Sequence, residues 1–511
     1  MKSSNFKIRS ISAFLILNFA FLIGASAQEQ PPEPSSPRAV KIPKIVESKL
    51  PNGLKIIVVE RKNVPLVSVN LMIDSGAASE DDNLAGVTDM TASLLTKGTK
   101  TRTADAIAEQ TEFLGSSING GANWMSTSVG FDATTDKLDK AMAIFADVVL
   151  HPTFPQSEID LYKSQAIDDL NVGLKQPGTL ARFVSARYTF GEHSIGGTPE
   201  TINAIKRKDI LNIYKEDYKP ETGTIIFTGD ITSAQAKAIA KKYFGLWKNP
   251  PAGVSTDSAP RGSANKSFKA FKEMKVSQPI ISKLLVIDLP DSGQAAVSYS
   301  KRLPENYNSD EYVFKVNVAR DNDNFYPASV ANSLLGGGYS SRMNQEIRIK
   351  RGLSYGAGSS IAWRWNGGNF STRCQTKTVS AAEVAELTLM EINRLINEDA
   401  SDAELTPRKN VLNGDFGREF ETNGGIAGQI ENLLTFGLPM SNLNDYMNGN
   451  AKVTAQQVKD FALFNLKGGD LIIVGDYNDF KDDLAKRFPN QKVEVIKASE
   501  LDLNSDTLRK K

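Results

Sequence analysis

The segment Thr224-Ile-Ile-Phe-Thr-Gly-Asp230 has a close counterpart later in the chain, Leu471-Ile-Ile-Val-Gly-Asp476. Gly229 and Gly475 are 246 positions apart, and the same offset relates Tyr188-Thr-Phe-Gly191 to Leu434-Thr-Phe-Gly437. Each Gly-Asp pair precedes an amphipathic helical pattern that ends in an aromatic residue. Two independent matches at one offset predict a duplicated domain of roughly 200 residues, which is too long a period for a solenoid.

Two segments rich in Pro and Ser divide the chain. Residues 28–40 have the composition of a disordered lead-in, and residues 249–266 that of a linker. The sequence therefore predicts an N-terminal domain over 41–248, a C-terminal domain over 267–500 and a tail over 501–511. At 511 residues the chain is also too long for one ordinary core.

The N-terminus has the pattern of a secretory signal peptide over residues 1–27. Three basic residues within the first nine positions precede an apolar run over 11–25, and Ala27 ends a small-x-small cleavage pattern. The alternative is a retained membrane anchor, but the run is short for a bilayer span. We expect a mature protein that is exported, in the periplasm of a bacterium.

Hydrophobic periodicity within the first half mixes strands and helices. Alternating or continuous apolar runs predict strands over 54–60, 66–73 and 127–133, and helical spacing predicts helices over 84–96, 103–114 and 138–150. The predicted fold class is α+β, with two tandem homologous domains that are each a mostly antiparallel sheet with helices packed on one face.

Charge and composition exclude several functions. Lys plus Arg number 60 and Asp plus Glu number 59, so the balance gives no case for a nucleic-acid partner. No glycine-rich phosphate loop follows a strand, so nucleotide binding has no support. A single cysteine, Cys374, excludes an internal disulfide, and His151 and His193 are the only histidines.

Several short motifs, in the correct order, resemble those of pitrilysin/insulinase-type metallopeptidases, the inverzincins. The motifs are Leu50-Pro-Asn-Gly-Leu54, Asp74-Ser-Gly-Ala-Ala-Ser-Glu80, Leu84-Ala-Gly86, Lys97-Gly-Thr99, Ser340-Ser-Arg342 and Lys350-Arg-Gly-Leu-Ser-Tyr355. The resemblance covers nearly all of the mature chain and implies the family's two-domain fold.

The family's chemistry rests on His-x-x-Glu-His, in which two histidines bind Zn²⁺ and the glutamate activates water. Alignment on the flanking glycines places Asp89 and Ser93 at the histidine positions and Ala92 at the glutamate position. Asp168 and Asp169 lie near the place of the family's third, carboxylate ligand. The resemblance therefore identifies a non-catalytic member with a degenerate zinc motif and no metal of its own.

The two histidines offer no replacement ligand set. His151 follows a predicted helix, where a capping or helix-dipole contact is the favoured interpretation. His193 lies in a loop, and neither residue has a second histidine or glutamate at ligand spacing.

The resemblance also implies two functional residues in the second half. The family supplies an arginine and a tyrosine, seven positions apart, that contact substrate and its developing oxyanion near the zinc. Arg348 and Tyr355 have this spacing. The alternative is that Arg348 pairs with Glu346 and that Tyr355 packs as an ordinary strand aromatic. Arg351 is expected to be a surface or chamber charge.

Edge strands in this family pair with extended peptides, which suits binding without strict sequence preference. The segments 56–59 and 69–73 are the candidates for such an edge here.

The resulting hypothesis is a catalytically silent subunit of a periplasmic two-chain zinc metallopeptidase. It would hold peptide substrate for a homologous partner that carries His-x-x-Glu-His and the zinc, while this chain has no cofactor. The alternative is a stand-alone peptide-binding or scaffold protein without a peptidase role. A free-standing peptidase with a divergent site is disfavoured by the histidine count.

Overall fold

The structure is a computed structural model that describes residues 40–249, 279–303, 320–322, 324–365 and 367–510. The predicted signal peptide, almost all of the predicted lead-in and almost all of the predicted linker lie outside these residues. Among the described residues, no helix combines the length and the apolar character needed to cross a bilayer.

Twelve strands and fifteen α-helices occur in the described part of the chain. The strands are β1 Ile45–Lys49, β2 Lys55–Glu60, β3 Leu66–Ile73, β4 Asn119–Ala122, β5 Thr127–Thr134, β6 Gly223–Gly229, β7 Ile281–Asp288, β8 Gln294–Leu303, β9 Ser354–Arg364, β10 Gly367–Lys377, β11 Gly469–Gly475 and β12 Val493–Lys497. The helices are α1 Val87–Leu94, α2 Ala104–Phe113, α3 Leu138–Leu150, α4 Gln156–Gly173, α5 Pro177–Val184, α6 Pro199–Ala204, α7 Arg207–Asp217, α8 Ser233–Phe244, α9 Phe325–Gly336, α10 Ala381–Asn397, α11 Asp402–Glu419, α12 Asn423–Thr435, α13 Asn442–Lys452, α14 Ala455–Asn465 and α15 Tyr477–Arg487.

The strands form two six-stranded sheets of matching order. The first half has the order β1-β2-β6-β3-β5-β4 and the second half β12-β7-β11-β8-β10-β9. In both sheets the strand that ends in Gly-Asp lies near the centre, parallel to one neighbour and antiparallel to the other. The predicted α+β class with two homologous, mostly antiparallel sheets is confirmed. Only the edge strands β1 and β12 differ, since β1 pairs antiparallel and β12 parallel.

Local sequence signals account for the element boundaries. Thr103 caps α2, because its hydroxyl accepts a hydrogen bond from the Ala106 amide. The helix predicted over 84–96 is shorter in the structure, where α1 spans Val87–Leu94 and a 3-10 turn lies on each side of it. Gly86 precedes α1 with φ +97°, a conformation that favours glycine.

One face of each sheet packs against helices of its own half. The opposite face is covered by a helix from the other half, which the sequence did not predict. Helix α5 of the first half packs on β8, β11 and β10, and helix α12 of the second half packs on β6 and β3. Each half thus completes the core of the other.

The exchanged helices obey the 246-residue offset of the sequence repeat. The residues of α5 that enter the core cluster with the second sheet are Leu180, Ala181 and Val184. The corresponding residues of α12 are Ile426, Ala427 and Ile430, which are buried in the same way. Burial of such side chains contributes about 1.5–3 kcal/mol each for the larger ones, so the exchange is a substantial part of the stability of the protein.

Candidate functional site

The helix at the degenerate zinc motif, α1, is capped by a buried glutamate. The Glu80 carboxylate accepts hydrogen bonds from the amides of Gly86 at 2.8 Å and Thr88 at 2.6 Å. Burial raises the pKa of Glu80 to about 7, although these two amides act in the opposite direction. His193 Nδ1 lies 3.8 Å from the same carboxylate, so the second histidine is part of the support of this helix.

Polar neighbours from the same half surround the positions of the missing zinc ligands. Asp89 Oδ1 accepts a hydrogen bond from the Ala122 amide of strand β4 at 2.9 Å. The Tyr162 hydroxyl of helix α4 donates to Asp89 and accepts from Ser93. Burial raises the pKa of Asp89. Burial and the nearby charge of Asp89 together raise the pKa of Tyr162 to about 12. Ala92, which lies between Asp89 and Ser93 in the sequence, is fully buried.

These residues do not fit a catalytic zinc ion. Zinc sites of this kind use three protein ligands, commonly imidazole and carboxylate. Here a serine and an alanine replace two of the motif positions, and the one carboxylate already has two hydrogen-bond donors. Asp168 and Asp169, on α4, are exposed. The described residues contain no group of three His, Cys, Asp or Glu side chains placed to hold a metal.

His151 has the structural role that its position favours. It is the C-cap residue of α3, and its Nδ1 lies 3.2 Å from Asp147 Oδ1. The ring is about half exposed and has no second nitrogen ligand nearby in sequence.

A cavity of about 1340 Å³ lies between the two halves. Its floor is one face of strands β8, β10 and β9, and helix α5 with the following residues forms a side wall. The floor is polar, because alternate polar residues of β10 line the cavity; Thr372 and Cys374, which lie between them, reach the lining as well. Asn369, Ser371 and Arg373 face the cavity, and Phe370 and Cys374 contribute to the core.

Arg348 lines this cavity from a π-helical turn, Asn344–Ile349. Such turns are rare in proteins overall, but those that occur are often found at functional sites. The guanidinium carbon lies 5.2 Å from the centre of the Tyr339 ring, and no carboxylate of the described residues is within ion-pair distance. Glu346 instead pairs with Lys350 at 2.7 Å and with Arg351, and these cations lower its pKa.

Tyr355 lies at the start of β9 with 95% of its surface exposed. It is not packed as an ordinary strand aromatic, and it is outside the lining of the cavity that contains Arg348. The structure therefore places the two predicted residues on connected segments but not at a common point of this cavity.

The two predicted edge segments are interior strands. Residues 56–59 belong to β2, which pairs with β1 and β6, and residues 69–73 belong to β3, which pairs with β5 and β6. The prediction of an edge there is wrong, because periodicity identifies strands but does not give their order. The edges are β1 and β4 in the first sheet and β12 and β9 in the second.

A charge pair joins the halves at the rim of the cavity. The Arg364 guanidinium of β9 donates to both carboxylate oxygens of Glu192, at 2.8 and 2.6 Å. The same guanidinium lies over the Trp124 ring, whose centroid is 5.0 Å from that of His193. Arg364 and Glu192 could not be paired from the sequence, because they are 172 residues apart and no local pattern connects them.

The fold and the site together define a peptidase-like protein of two related halves, with a cavity between them and its metal positions replaced. Two family models match the chain, the insulinase model of peptidase family M16 over residues 55–187 and the peptidase M16 inactive domain over residues 204–412. Together they cover more than half of the chain. It belongs to the insulinase family, M16, and is a catalytically silent member that lacks His-x-x-Glu-His.

Related proteins match most of the chain. An uncharacterized zinc protease of Mycobacterium leprae is 23% identical over 386 residues, which are 74% of this chain and 79% of that protein. The non-peptidase homolog YmxG of Helicobacter pylori is 21% identical over 441 residues, 84% of this chain and 94% of that one.

Two crystal structures share the fold. The peptidase M16 inactive domain from Pseudomonas fluorescens superposes with a TM-score of 0.71 at 24% identity, and covers 84% of this chain and 98% of its own. A protease from Helicobacter pylori gives 0.72 at 18% identity, with 85% and 100% covered.

Proposed function

We propose that this chain is the silent subunit of a two-chain zinc peptidase. In this role the chain binds peptide and orients it for a homologous partner. The partner carries His-x-x-Glu-His and the zinc, and this chain carries no cofactor. The single observation that carries the proposal is Arg348, a guanidinium that faces the cavity between the halves with no described carboxylate beside it.

A guanidinium in this position suits the polarisation of a peptide carbonyl. Arginine stays charged at physiological pH and donates through a rigid fork of N–H groups. Arg351, three residues later, is held by Glu346 and Glu383 and so has a structural role. The contrast between these two neighbours supports a functional role for Arg348.

The exposure of Tyr355 supports the presence of a second chain. A tyrosine at 95% exposure has nothing from the described residues to pack on, although tyrosine is enriched at protein interfaces. In the proposed complex its hydroxyl contacts substrate beside the partner's zinc. The signal-like N-terminus supports a periplasmic location for this complex.

The test is to express the chain with a homologue that carries His-x-x-Glu-His and to purify the complex through a tag on this chain. We expect zinc and peptide cleavage in the complex. Arg348→Ala is expected to lower kcat/KM by about 100-fold, the usual cost of one oxyanion-stabilising donor. The amount of partner that co-purifies should stay unchanged.

The matched control is Arg418→Ala. Arg418 is an exposed arginine that already pairs with Asp415, and its replacement should leave cleavage unchanged. Normal turnover with Arg348→Ala would contradict the role of Arg348. If the chain purifies alone and no zinc-bearing homologue binds it, the stand-alone peptide-binding or scaffold alternative takes over.

A further inference from the structure

The floor of the cavity changes character where helix α5 ends. Beneath α5 the sheet face is apolar, and Leu180 and Val184 contact residues such as Ile472. Strands β10 and β9 extend beyond the helix, and their residues toward the cavity are small or polar. These residues include Asn369, Ser371, Arg373, Gly356, Gly358 and Ser360. A polar sheet face inside a cavity of this size is suited to a polar ligand rather than to another helix.

The cavity has an excess of unpaired positive charge. Arg182 on α5, Arg348 on the π-helical turn and Arg373 on β10 all line it. No carboxylate of the described residues lies within 4.0 Å of any of the three. Of the two carboxylates in the lining, Glu192 is neutralised by Arg364, which leaves only Asp169. Clefts lined by one sign of charge attract ligands of the opposite sign.

Asn369 indicates what kind of anion the cavity takes. Its side chain is 97% buried, since only 3% of its surface is exposed, and it lines the cavity. Neither its Nδ2 nor its Oδ1 has a hydrogen-bond partner among the described residues. A side-chain amide needs one acceptor and one donor at once, and a peptide group supplies both, whereas a carboxylate or phosphate ion only accepts.

We propose that the β10–β9 floor binds an extended peptide that bears carboxylates, with Asn369 bonded to a peptide group and with Arg182 and Arg373 paired to the carboxylates. This inference rests on the proposed peptide-binding function and names its substrate class. Arg373 lies directly opposite Gly358 in the β10–β9 register. The Gly336 carbonyl oxygen lies 3.1 Å from the place that a Cβ on Gly358 would take, and the Arg373 Nε lies 3.9 Å from it, so the guanidinium lies beside this glycine on the floor.

The test uses the mature chain alone and four fluorescent ten-residue peptides of Ala, Gly and Ser. Two peptides carry three Glu residues and two carry Gln at the same positions, each with a free or an amidated C-terminus. Fluorescence anisotropy gives Kd at low and at high salt. We expect the Glu peptides to bind at least 10-fold more tightly than the Gln peptides, with the difference reduced at high salt.

Three variants assign the contacts. Arg373→Gln and Arg182→Gln should each weaken the Glu peptides by about 5- to 10-fold and leave the Gln peptides unchanged. Asn369→Ala should weaken both kinds of peptide equally, because it contacts the main chain. Arg418→Gln, an exposed arginine on α11, is the control and should change no Kd.

Two outcomes separate the sources of the carboxylate. If amidation has no effect on the Glu peptides, the acidic side chains are bound; if amidation alone abolishes binding, the C-terminal carboxylate is bound. Equal Kd for all four peptides would overturn the proposal. Cleavage by a partner complex with no preference for acidic peptides would overturn this inference alone, whereas tight binding of acidic peptides with no zinc-bearing partner would overturn only the two-chain function.

Discussion

The surroundings of α1 in the first half and the floor of the cavity in the second half treat their polar side chains in opposite ways. Around α1, Asp89, Ser93 and Tyr162 bond to one another and to the backbone of β4. On the cavity floor, Asn369 and Arg373 have no such partners among the described residues. Both regions flank a sheet that is covered by an exchanged helix, so the difference does not come from the architecture.

The comparison supports the proposed ligand site on the cavity floor. A buried polar group costs free energy unless it is hydrogen-bonded, so an unused site should lose such groups or satisfy them internally. At the degenerate zinc motif, the polar groups are hydrogen-bonded within the chain. On the cavity floor, polar groups are kept but have no partners among the described residues. This is the expected state of a surface that bonds to something other than its own chain.

The largest effect is expected at the rim of the cavity, where the halves share a charge pair. Arg364→Ala leaves Glu192, which is 6% exposed, as a buried charge without its cation. We expect a loss of about 3 kcal/mol in the free energy of unfolding, measured with urea. The double variant Glu192→Gln/Arg364→Ala should recover part of this loss. A loss below about 0.5 kcal/mol for Arg364→Ala would mean that the pair does not join the halves in solution.

A medium effect is expected at the start of α1 and depends on pH. Because burial raises the pKa of Glu80 from 4.5 to about 7, the folded protein binds this proton more tightly than the unfolded chain. Stability should therefore fall as the pH rises from about 4.5 to about 7, by on the order of 2 kcal/mol from this group. Glu80→Gln should remove that part of the fall. The same slope in the variant and the natural chain would contradict the assignment to Glu80.

The smallest effects compare the two regions directly. Tyr162→Phe removes hydrogen bonds to Asp89 and Ser93 and should cost about 1 kcal/mol. Asn369→Ala removes an amide without partners among the described residues and should change stability by less than about 0.5 kcal/mol. Thermal unfolding of both variants checks this order. If Asn369→Ala were the more destabilising, the contrast between the regions would be false.

The sequence allowed much of the fold to be predicted, because its signals are local or repeated. The 246-residue offset gave two homologous halves, and periodicity gave β3 at its observed bounds and α3 likewise. The replaced zinc motif was visible for the same reason, since Asp89, Ala92 and Ser93 lie within one helix. Alternation along β10 would also have shown Asn369 and Arg373 on one face.

The remaining features depend on contacts between distant segments. Strand order placed β2 and β3 inside the sheet, although their apolar runs resemble any strand. The pairing of Arg364 with Glu192 and the hydrogen bonds of Tyr162 to α1 join residues that no pattern in the sequence relates. The roles of Arg348 and Tyr355 stay predictions.

The crosswise placement of α5 and α12 limits how a substrate can reach the cavity. Separation of the two halves by a hinge motion would expose two apolar sheet faces at once. The free energy of this exposure would include every side chain in both buried clusters. Access is therefore expected through a fixed opening and not by wide separation. A fixed opening would select the proposed peptide ligand by its width, whatever its sequence, and so would admit an unfolded segment and exclude a folded domain.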